Sequence, residues 1–548
     1  MGSPSLPEVY ERISEIFSPP GPRPLLTQAL ERLDEHLRED ERVAVFLEAP
    51  TGYGKSTLSL ALYAAIKLGR QDLGQRVIHV LPLRSIGTDL RDKSINRIYT
   101  VKSSIGGQFS VLSEKDVGLQ QMHSPGSPML CKRFVITTLD TFLTSFYKMP
   151  ASEIHKLFVR GTAHYEVPRA CIYTSVVVLD EFHLFLSSRS LVDGKSKSLT
   201  SAVACIRALL DAGVPVLVMT ATMPEVVKGA VMDQLETAGL EDAVVEVRPP
   251  PGDAGPVKRR LKVEATKEDP VSLLQHIGGD SRVLILLNTV REAVELYHRL
   301  KGKGYSPVLL HSRIVERDRE ERLMLIREGR ERKVFVTTQV VEAGVDVSFD
   351  VLITESAPPD SLLQRAGRVA RYGGEGEVYV MPVTEGGRAV YGDQLPESSF
   401  EYVAKKGTLG TEMLGLIDEA FRGRNPIDLY HYNMLTDIDR YPSCSHKFAM
   451  KVWDVLCGFV RDGEQITAIP RQYLNGTVNL QEQTFAMDED LFLRLVERSG
   501  TVEVLLESLE RRSVGFQRSH ECLARDLITS GIAAVIVDGY DEEVGYVG

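Results

Sequence analysis

The segment Ala49-Pro50-Thr51-Gly52-Tyr53-Gly54-Lys55-Ser56 carries glycines, a lysine and a hydroxyl in the order that a phosphate-cradling loop needs, with Ala in place of the usual first glycine. An apolar run precedes it, and Thr57–Leu68 reads as a helix. Backbone N–H groups of such a loop and of a helix N-terminus point at an anion. Lys55 would reach the β- and γ-phosphates and the Ser56 hydroxyl would ligate Mg²⁺, with Gly52, Gly54 and Thr57 completing the nucleotide contacts. Further along, Val176-Val177-Val178-Leu179-Asp180-Glu181-Phe182-His183 is a buried-strand pattern ending in two carboxylates. Asp180 could hold Mg²⁺ through water, Glu181 could polarise an attacking water as general base, and His183 could report the nucleotide state. ATP with Mg²⁺ is the expected cofactor pair.

A second set of reactive types lies far away, in Gln364-Arg365-Ala366-Gly367-Arg368-Val369-Ala370-Arg371. Planar guanidinium groups match the charge that grows on γ-phosphoryl oxygens. Arg368 and Arg371 are therefore candidate arginine fingers, a device worth ~10³–10⁵ in rate, and Gln364 would help place water or the γ-phosphate. Their separation from the loop suggests a nucleotide held between two lobes, so that hydrolysis drives movement. Thr220-Ala221-Thr222 follows another buried strand, and the Thr220 and Thr222 hydroxyls could couple to the Asp180–His183 loop; a capped strand-to-helix turn is the alternative. The Gln28 amide could bond both edges of adenine, or simply sit exposed on a helix.

These residues need elements to hold them. Strand-like runs at Val43–Glu48, Arg76–Leu81, Arg133–Thr138, Ser175–Leu179 and Pro215–Thr220 are nearly continuous in Val, Ile and Leu, as strands buried on both faces should be. Arg248 through Pro256 is rich in Pro and Gly and reads as a linker. The pattern then restarts at Val283–Leu287, Pro307–Leu310, Val334–Thr338, Val351–Glu355 and Glu377–Met381. The expected fold class is α/β: two tandem parallel-sheet lobes over 1–247 and 261–385, a linker over 248–260, and a mainly helical accessory domain over 386–548. In that last part Glu412–Arg422, Phe448–Arg461, Asp488–Arg498 and Val502–Glu510 read as helices by apolar spacing.

The 548 residues suit three or four domains of ~100–200 residues each. With 43% hydrophobic and 25% charged residues, the composition is that of an ordinary globular protein. The six cysteines form no CxxC pair, so a zinc site is not expected. No long apolar run suggests a membrane span, and the first residues lack a signal-peptide pattern, so a cytoplasmic location is expected. A net charge of −11 leaves only local basic clusters for a polyanion, at Lys258-Arg259-Arg260 and Arg327 through Lys333. A solvated surface is the simpler reading of both.

Taken in order, the phosphate loop, Asp-Glu-x-His, Thr-Ala-Thr and Gln-Arg-x-Gly-Arg-x-x-Arg resemble superfamily 2 helicases. One subgroup fits better. Gln339-Val340-Val341-Glu342-Ala343-Gly344-Val345-Asp346, with Ala357-Pro358-Pro359-Asp360-Ser361 leading into Gln364, resembles the CRISPR-associated helicase of type I interference systems. His311-Ser312-Arg313 with Asp318-Arg319, and His123-Ser124, point the same way. The resemblance spans roughly residues 20–385. It implies RecA-like lobes and 3′→5′ movement on single-stranded DNA. It also implies recruitment by the RNA-guided surveillance (Cascade) complex, and a ribose contact at Asp346 beside Gly344. Strand-contacting motifs would supply Pro82 and Arg84, then Thr138, Asp140 and Thr141, then Asn288 and Thr289, and Thr338. Such groups grip phosphates without reading bases.

Many relatives carry a metal-dependent nuclease with a His-Asp doublet. None of the 12 histidines here is followed by Asp, and the phosphate loop starts at residue 49. A stand-alone helicase working with a separate HD-type nuclease subunit is expected. Two alternatives stay open: an RNA helicase of the same superfamily, since phosphate grips are shared, and a non-catalytic nucleic-acid clamp.

Overall fold

Short runs of Val, Ile and Leu with no polar face suit strands covered on both sides. In the computed structural model they form such strands in two separate parallel sheets. The structure describes residues 3–17, 20–50, 52–82, 85–121, 124–186, 194–250, 259–328, 333–342, 345–440, 446–460, 465–516 and 522–548. The chain divides into two compact units. The first comprises Met1–Ser190, Gly194–Pro256 and Gly423–Arg461; the second comprises Val257–Arg422 and Asp462–Gly548 with Leu191–Asp193.

Among the described residues the first unit is built on eight strands: β1 (Ala44–Glu48), β2 (Arg76–Leu81), β3 (Val117–Gln121), β4 (Ser124–Pro125), β5 (Phe134–Thr138), β6 (Ser175–Leu179), β7 (Val216–Thr220) and β8 (Val244–Val247). Their order is β4-β3-β5-β2-β6-β7-β1-β8, parallel except for the β3–β4 pair. Every residue of β5, β6 and β7 is buried. The five expected strands form the middle of the sheet. β3, β4 and β8 were not foreseen; they lie at or near its edges, where burial on both faces is not required.

The second unit carries β9 (Arg259–Ala265), β10 (Val283–Leu286), β11 (Val308–Leu310), β12 (Val334–Thr337), β13 (Val351–Glu355) and β14 (Gly374–Met381), all parallel, in the order β11-β12-β10-β13-β14-β9. The expected linker over 248–260 therefore ends earlier: Arg259 and Arg260 already belong to edge strand β9, which pairs with β14. Residues 251–258 lie outside the described residues.

The stretch 386–548 is not one domain. Its helices Leu429–Arg440 and His446–Leu456 pack on the first unit, while 462–548 joins the second. Helix residues outnumber strand residues, but the helices share the region with a five-stranded sheet made of β15 (Gln465–Pro470), β16 (Phe485–Asp488), β17 (Val502–Leu506), β18 (Arg511–Val514) and β19 (Ile532–Val537). Its order is β16-β15-β19-β17-β18. Val502–Glu510 is thus a correction: it opens as strand β17, paired antiparallel to β18 and β19. β-Branched Val502 and Val504 alternate with Glu503, and that period of two outweighs the helical reading. No helix of the described residues is long and apolar enough to cross a membrane.

Candidate nucleotide site and nucleic-acid motifs

In the first unit β1 runs into the phosphate loop, and the helix Thr57–Lys67 leaves it. Gly52 (φ 81°) and Gly54 (φ 89°) adopt left-handed conformations that disfavour a side chain. Lys55 is buried, and its Nζ donates to the Ala49 carbonyl at 2.8 Å, across the mouth of the loop. The Thr57 hydroxyl donates to Gly54 O at 2.6 Å, and Arg97 donates to Ser56 Oγ at 3.3 Å. Tyr53 is buried, and its hydroxyl accepts from the Leu25 N–H at 3.5 Å. That contact ties the loop to the N-terminus of the helix Pro24–Arg38, on which Gln28 is exposed. Thr51 lies outside the described residues.

β6 delivers Asp180 to the C-terminal end of the central strands, where its N–H donates to Val80 O at 2.9 Å. Burial pushes the Asp180 carboxyl up, but His79, Lys55 and the Glu181 N–H more than offset this and hold it below the usual carboxylate range. It is therefore an anion, the species a divalent cation requires. Glu181 sits in the left-handed region (φ 50°), a strained position of the kind found at functional sites. Among the described residues no group of three or more His, Cys, Asp or Glu side chains could cage a metal. The donors fit Mg²⁺, which keeps waters and leans on phosphate oxygens plus one or two protein groups; Asp180 and Ser56 would be those groups.

Thr220 and His183 meet: His183 Nδ1 lies 2.8 Å from Thr220 Oγ1. The Thr220 hydroxyl donates to Thr222 O at 2.5 Å, which leaves the His183 Nδ1–H to donate to it. The side-chain oxygen of Thr222 is buried.

In the second unit the arginine segment follows the short helix Pro359–Ala366. Arg368 is buried, donating to Val345 O at 2.6 Å and to Glu342 O. Arg371 Nε donates to Asp346 Oδ1 at 2.9 Å, and the Tyr372 hydroxyl donates to the same oxygen at 3.0 Å. The expected finger and the expected ribose contact are thus paired with each other. Gln364 is buried. Gly344 lies outside the described residues.

Arg365, which sequence reasoning passed over, organises this region. It is fully buried and donates to Glu342 Oε1 (2.7 Å), Thr354 Oγ1 (3.0 Å), Glu355 O (2.9 Å) and Asn288 Oδ1 (2.9 Å). Burial opposes its charge, and the Glu342 carboxylate more than compensates. A signal existed: Arg365 stands three residues after buried Leu362, on the helix's inward face.

The strand-tip motifs are engaged locally. Thr138 caps the helix Leu139–Phe146 by accepting from the Thr141 N–H at 3.5 Å, and its hydroxyl donates to Thr141 Oγ1 at 3.1 Å. Thr289 caps the helix Val290–Gly302 and donates to Glu292 Oε2 at 2.6 Å. Asn288 Nδ2 donates to Ser356 O at 2.9 Å, and Thr338 is buried. Pro82 and Asp140 are half-buried; Arg84 and His123 lie outside the described residues. Of the basic clusters, Arg260 faces Glu375 at 3.9 Å and Lys333 Nζ donates to Gly279 O at 2.9 Å, while Lys258 and residues 329–332 lie outside the described residues.

Residues 28–230 match the family model of the DEAD/DEAH box helicases, and residues 279–374 match that of the CRISPR-associated nuclease/helicase Cas3, C-terminal. The CRISPR-associated helicase Cas3 of Thermoproteus tenax is 26% identical over 369 residues, covering 66% of this chain and 59% of that protein. The crystal structure of T. fusca Cas3 matches with a TM-score of 0.62 at 16% identity, over 98% of this chain and 69% of that one. A chain of a CRISPR RNA-guided surveillance complex, pre-nicking, matches with a TM-score of 0.57 at 16% identity, over 96% and 70%. At such identity these two likenesses show the fold. The chain spans 59%, 38% and 46% of the length of three curated relatives. The helicase match covers much of the unit with the phosphate loop and the Cas3 match covers lobe-two strands β10 to β13, so the chain is similar to the CRISPR-associated Cas3 helicases of superfamily 2.

Proposed function

We propose that this chain is an ATP-driven translocase that moves 3′→5′ on single-stranded DNA during type I CRISPR interference, recruited by an RNA-guided surveillance complex. The observation that carries the reading is the first-unit arrangement: a glycine-shaped phosphate loop with Lys55 beside an Asp180 held as an anion. In this reading Lys55 leaves the Ala49 carbonyl for the β- and γ-phosphates, and Glu181 takes the proton of the attacking water. Mg²⁺ held by Ser56 and Asp180 would neutralise charge growing on the phosphates. Gln28, Gly52, Gly54, Thr57, Gly344 and Asp346 complete nucleotide binding, and Gln364, Arg368 and Arg371 stabilise the transition state once Arg371 exchanges Asp346 for phosphate. His183, Thr220 and Thr222 couple the site to movement. Pro82, Arg84, Thr138, Asp140, Thr141, Asn288, Thr289 and Thr338 line the strand path, where hydroxyls, backbone amides and an arginine grip phosphates. The 548 residues contain no His-Asp doublet, so HD-type cutting in the same process depends on residues outside them.

The test is ATP hydrolysis by the purified protein with single-stranded DNA, duplex DNA and RNA side by side. Single-stranded DNA should stimulate most, and stimulation by RNA alone would overturn the reading. Lys55→Ala should cut turnover at least ~10²-fold, the scale of losing a preorganised charge stabiliser. Arg371→Ala should lower kcat more than ATP affinity, since a finger acts in the transition state.

A further inference from the structure

One histidine in the first unit belongs to none of the motifs. His79 lies in the centre of β2 and is fully buried, one residue before the Val80 carbonyl that accepts the Asp180 N–H. Its ring spans two elements of the nucleotide site. Nδ1 is 2.7 Å from the hydroxyl of Ser59, on the helix that leaves the phosphate loop. Nε2 is 3.2 Å from Asp180 Oδ2, an ion-pair distance at an angle short of a good hydrogen bond, and it has no other partner among the described residues. The other carboxylate oxygen, Oδ1, accepts the Glu181 N–H at 2.9 Å. Both oxygens of Asp180 are therefore oriented from within the protein, one by the backbone and one by the imidazole.

We propose that His79 is a positioning residue for the divalent cation: anchored by Ser59, it fixes the Asp180 carboxylate relative to the helix that begins at Ser56. The inference rests on the reading of Ser56 and Asp180 as the protein's metal-side groups. Ser59 lies one turn along the helix from Ser56, so the Ser59–His79–Asp180 chain sets the spacing between those two groups. With its proton on Nε2, the ring turns an N–H toward Asp180 Oδ2 at ion-pair distance, and Nδ1 accepts a hydrogen bond from the Ser59 hydroxyl. Outer-shell partners that orient a metal-side ligand work in this way, and losing one costs ~10–100-fold in metal affinity. A merely structural histidine would leave metal affinity untouched.

The test measures Mn²⁺ binding by electron paramagnetic resonance, with a non-hydrolysable ATP analogue on the full chain, together with analogue affinity in EDTA. His79→Leu should weaken Mn²⁺ binding ~10–100-fold and leave metal-free analogue affinity unchanged. His79→Gln, whose amide can place a donor near the Nε2 position, should restore most of the loss. Ser59→Ala, which removes only the anchor, should cost a smaller ~2–10-fold and serves if the Leu variant does not fold. Unchanged Mn²⁺ affinity in folded His79→Leu, or in Ser59→Ala if the Leu variant fails, overturns the assignment while the functional reading stands. Equal loss of metal-bound and metal-free analogue also overturns it. Absence of metal-dependent analogue binding in the parent protein would instead overturn the functional reading, and this inference with it.

Discussion

Arg365 and Glu342 form an ion pair with almost no access to water. Burial pushes the Glu342 carboxyl up while the guanidinium opposes that push. Such a pair adds little net stability, but removing one partner strands the other charge. Arg365→Met should destabilise the second unit by ~3–5 kcal/mol, and adding Glu342→Leu should recover more than half of that. Chemical denaturation of the two variants checks it; equal stability of single and double variants would show that the charges are not coupled. The phosphate loop and the Asp180-Glu181 pair stand out in the sequence because the chemistry proposed for them dictates residue types and spacing. Arg365 was hidden by its neighbours: among three arginines in seven residues, sequence alone does not say which one turns inward. His79 was hidden differently, because a polar residue inside an apolar strand shows its meaning only when its partners, on other elements, are known.

At the scale of elements, the central parallel strands could be read because double-sided burial leaves an unbroken apolar run. Edge strand β9, Arg-Arg-Leu-Lys-Val-Glu-Ala, escaped notice because its charged residues read as linker, although Leu261, Val263 and Ala265 alternate toward the core. The C-terminal sheet escaped for a related reason: its partners are distant in sequence. It docks on lobe two through the His311-Ser312-Arg313 segment. His311 is buried with Nε2 2.8 Å from Val544 O, Arg313 donates to Asp488 Oδ2 at 2.8 Å, and the Tyr546 N–H donates to Arg313 O at 2.9 Å. Burial drives the His311 pKa down to about 3 from an ordinary 6.5. The unfolded chain therefore binds a proton in this window and the folded chain does not. Stability from this group is complete above about pH 6.5 and is lost as pH falls toward 3, by ~1.4 kcal/mol per unit. His311→Gln should flatten the pH dependence of unfolding between those limits. An unchanged slope would show that other groups carry it.

At the scale of the molecule, the segment Gly423–Arg461 belongs to the first unit although the second unit's strands β9 to β14 precede it in sequence. Its contacts are specific. His431 Nε2 lies 3.1 Å from Ser201 Oγ, Lys197 donates to Leu456 O at 2.6 Å, and the Tyr173 hydroxyl donates to Asp439 Oδ1 at 2.5 Å. Phe459 packs edge-on against buried Tyr147 at 5.3 Å between ring centres. Linear reading could not assign this return, because apolar spacing shows that a helix has a buried face but not which body buries it. Fragment 1–256 alone should melt at least ~4 °C below the same fragment co-expressed with 423–461. Equal midpoints in thermal scans would show that the segment is not part of that body.

That return also sets a clock on synthesis. The last residues of the first unit emerge 205 positions after Pro256, the difference between 461 and 256. At ~5–20 residues per second the ribosome takes roughly 10–40 s to cover them. Throughout that interval the nascent first lobe, phosphate loop included, waits with the Tyr147 and Ser201 face uncovered, so its maturation is governed by translation speed as much as by its own folding rate.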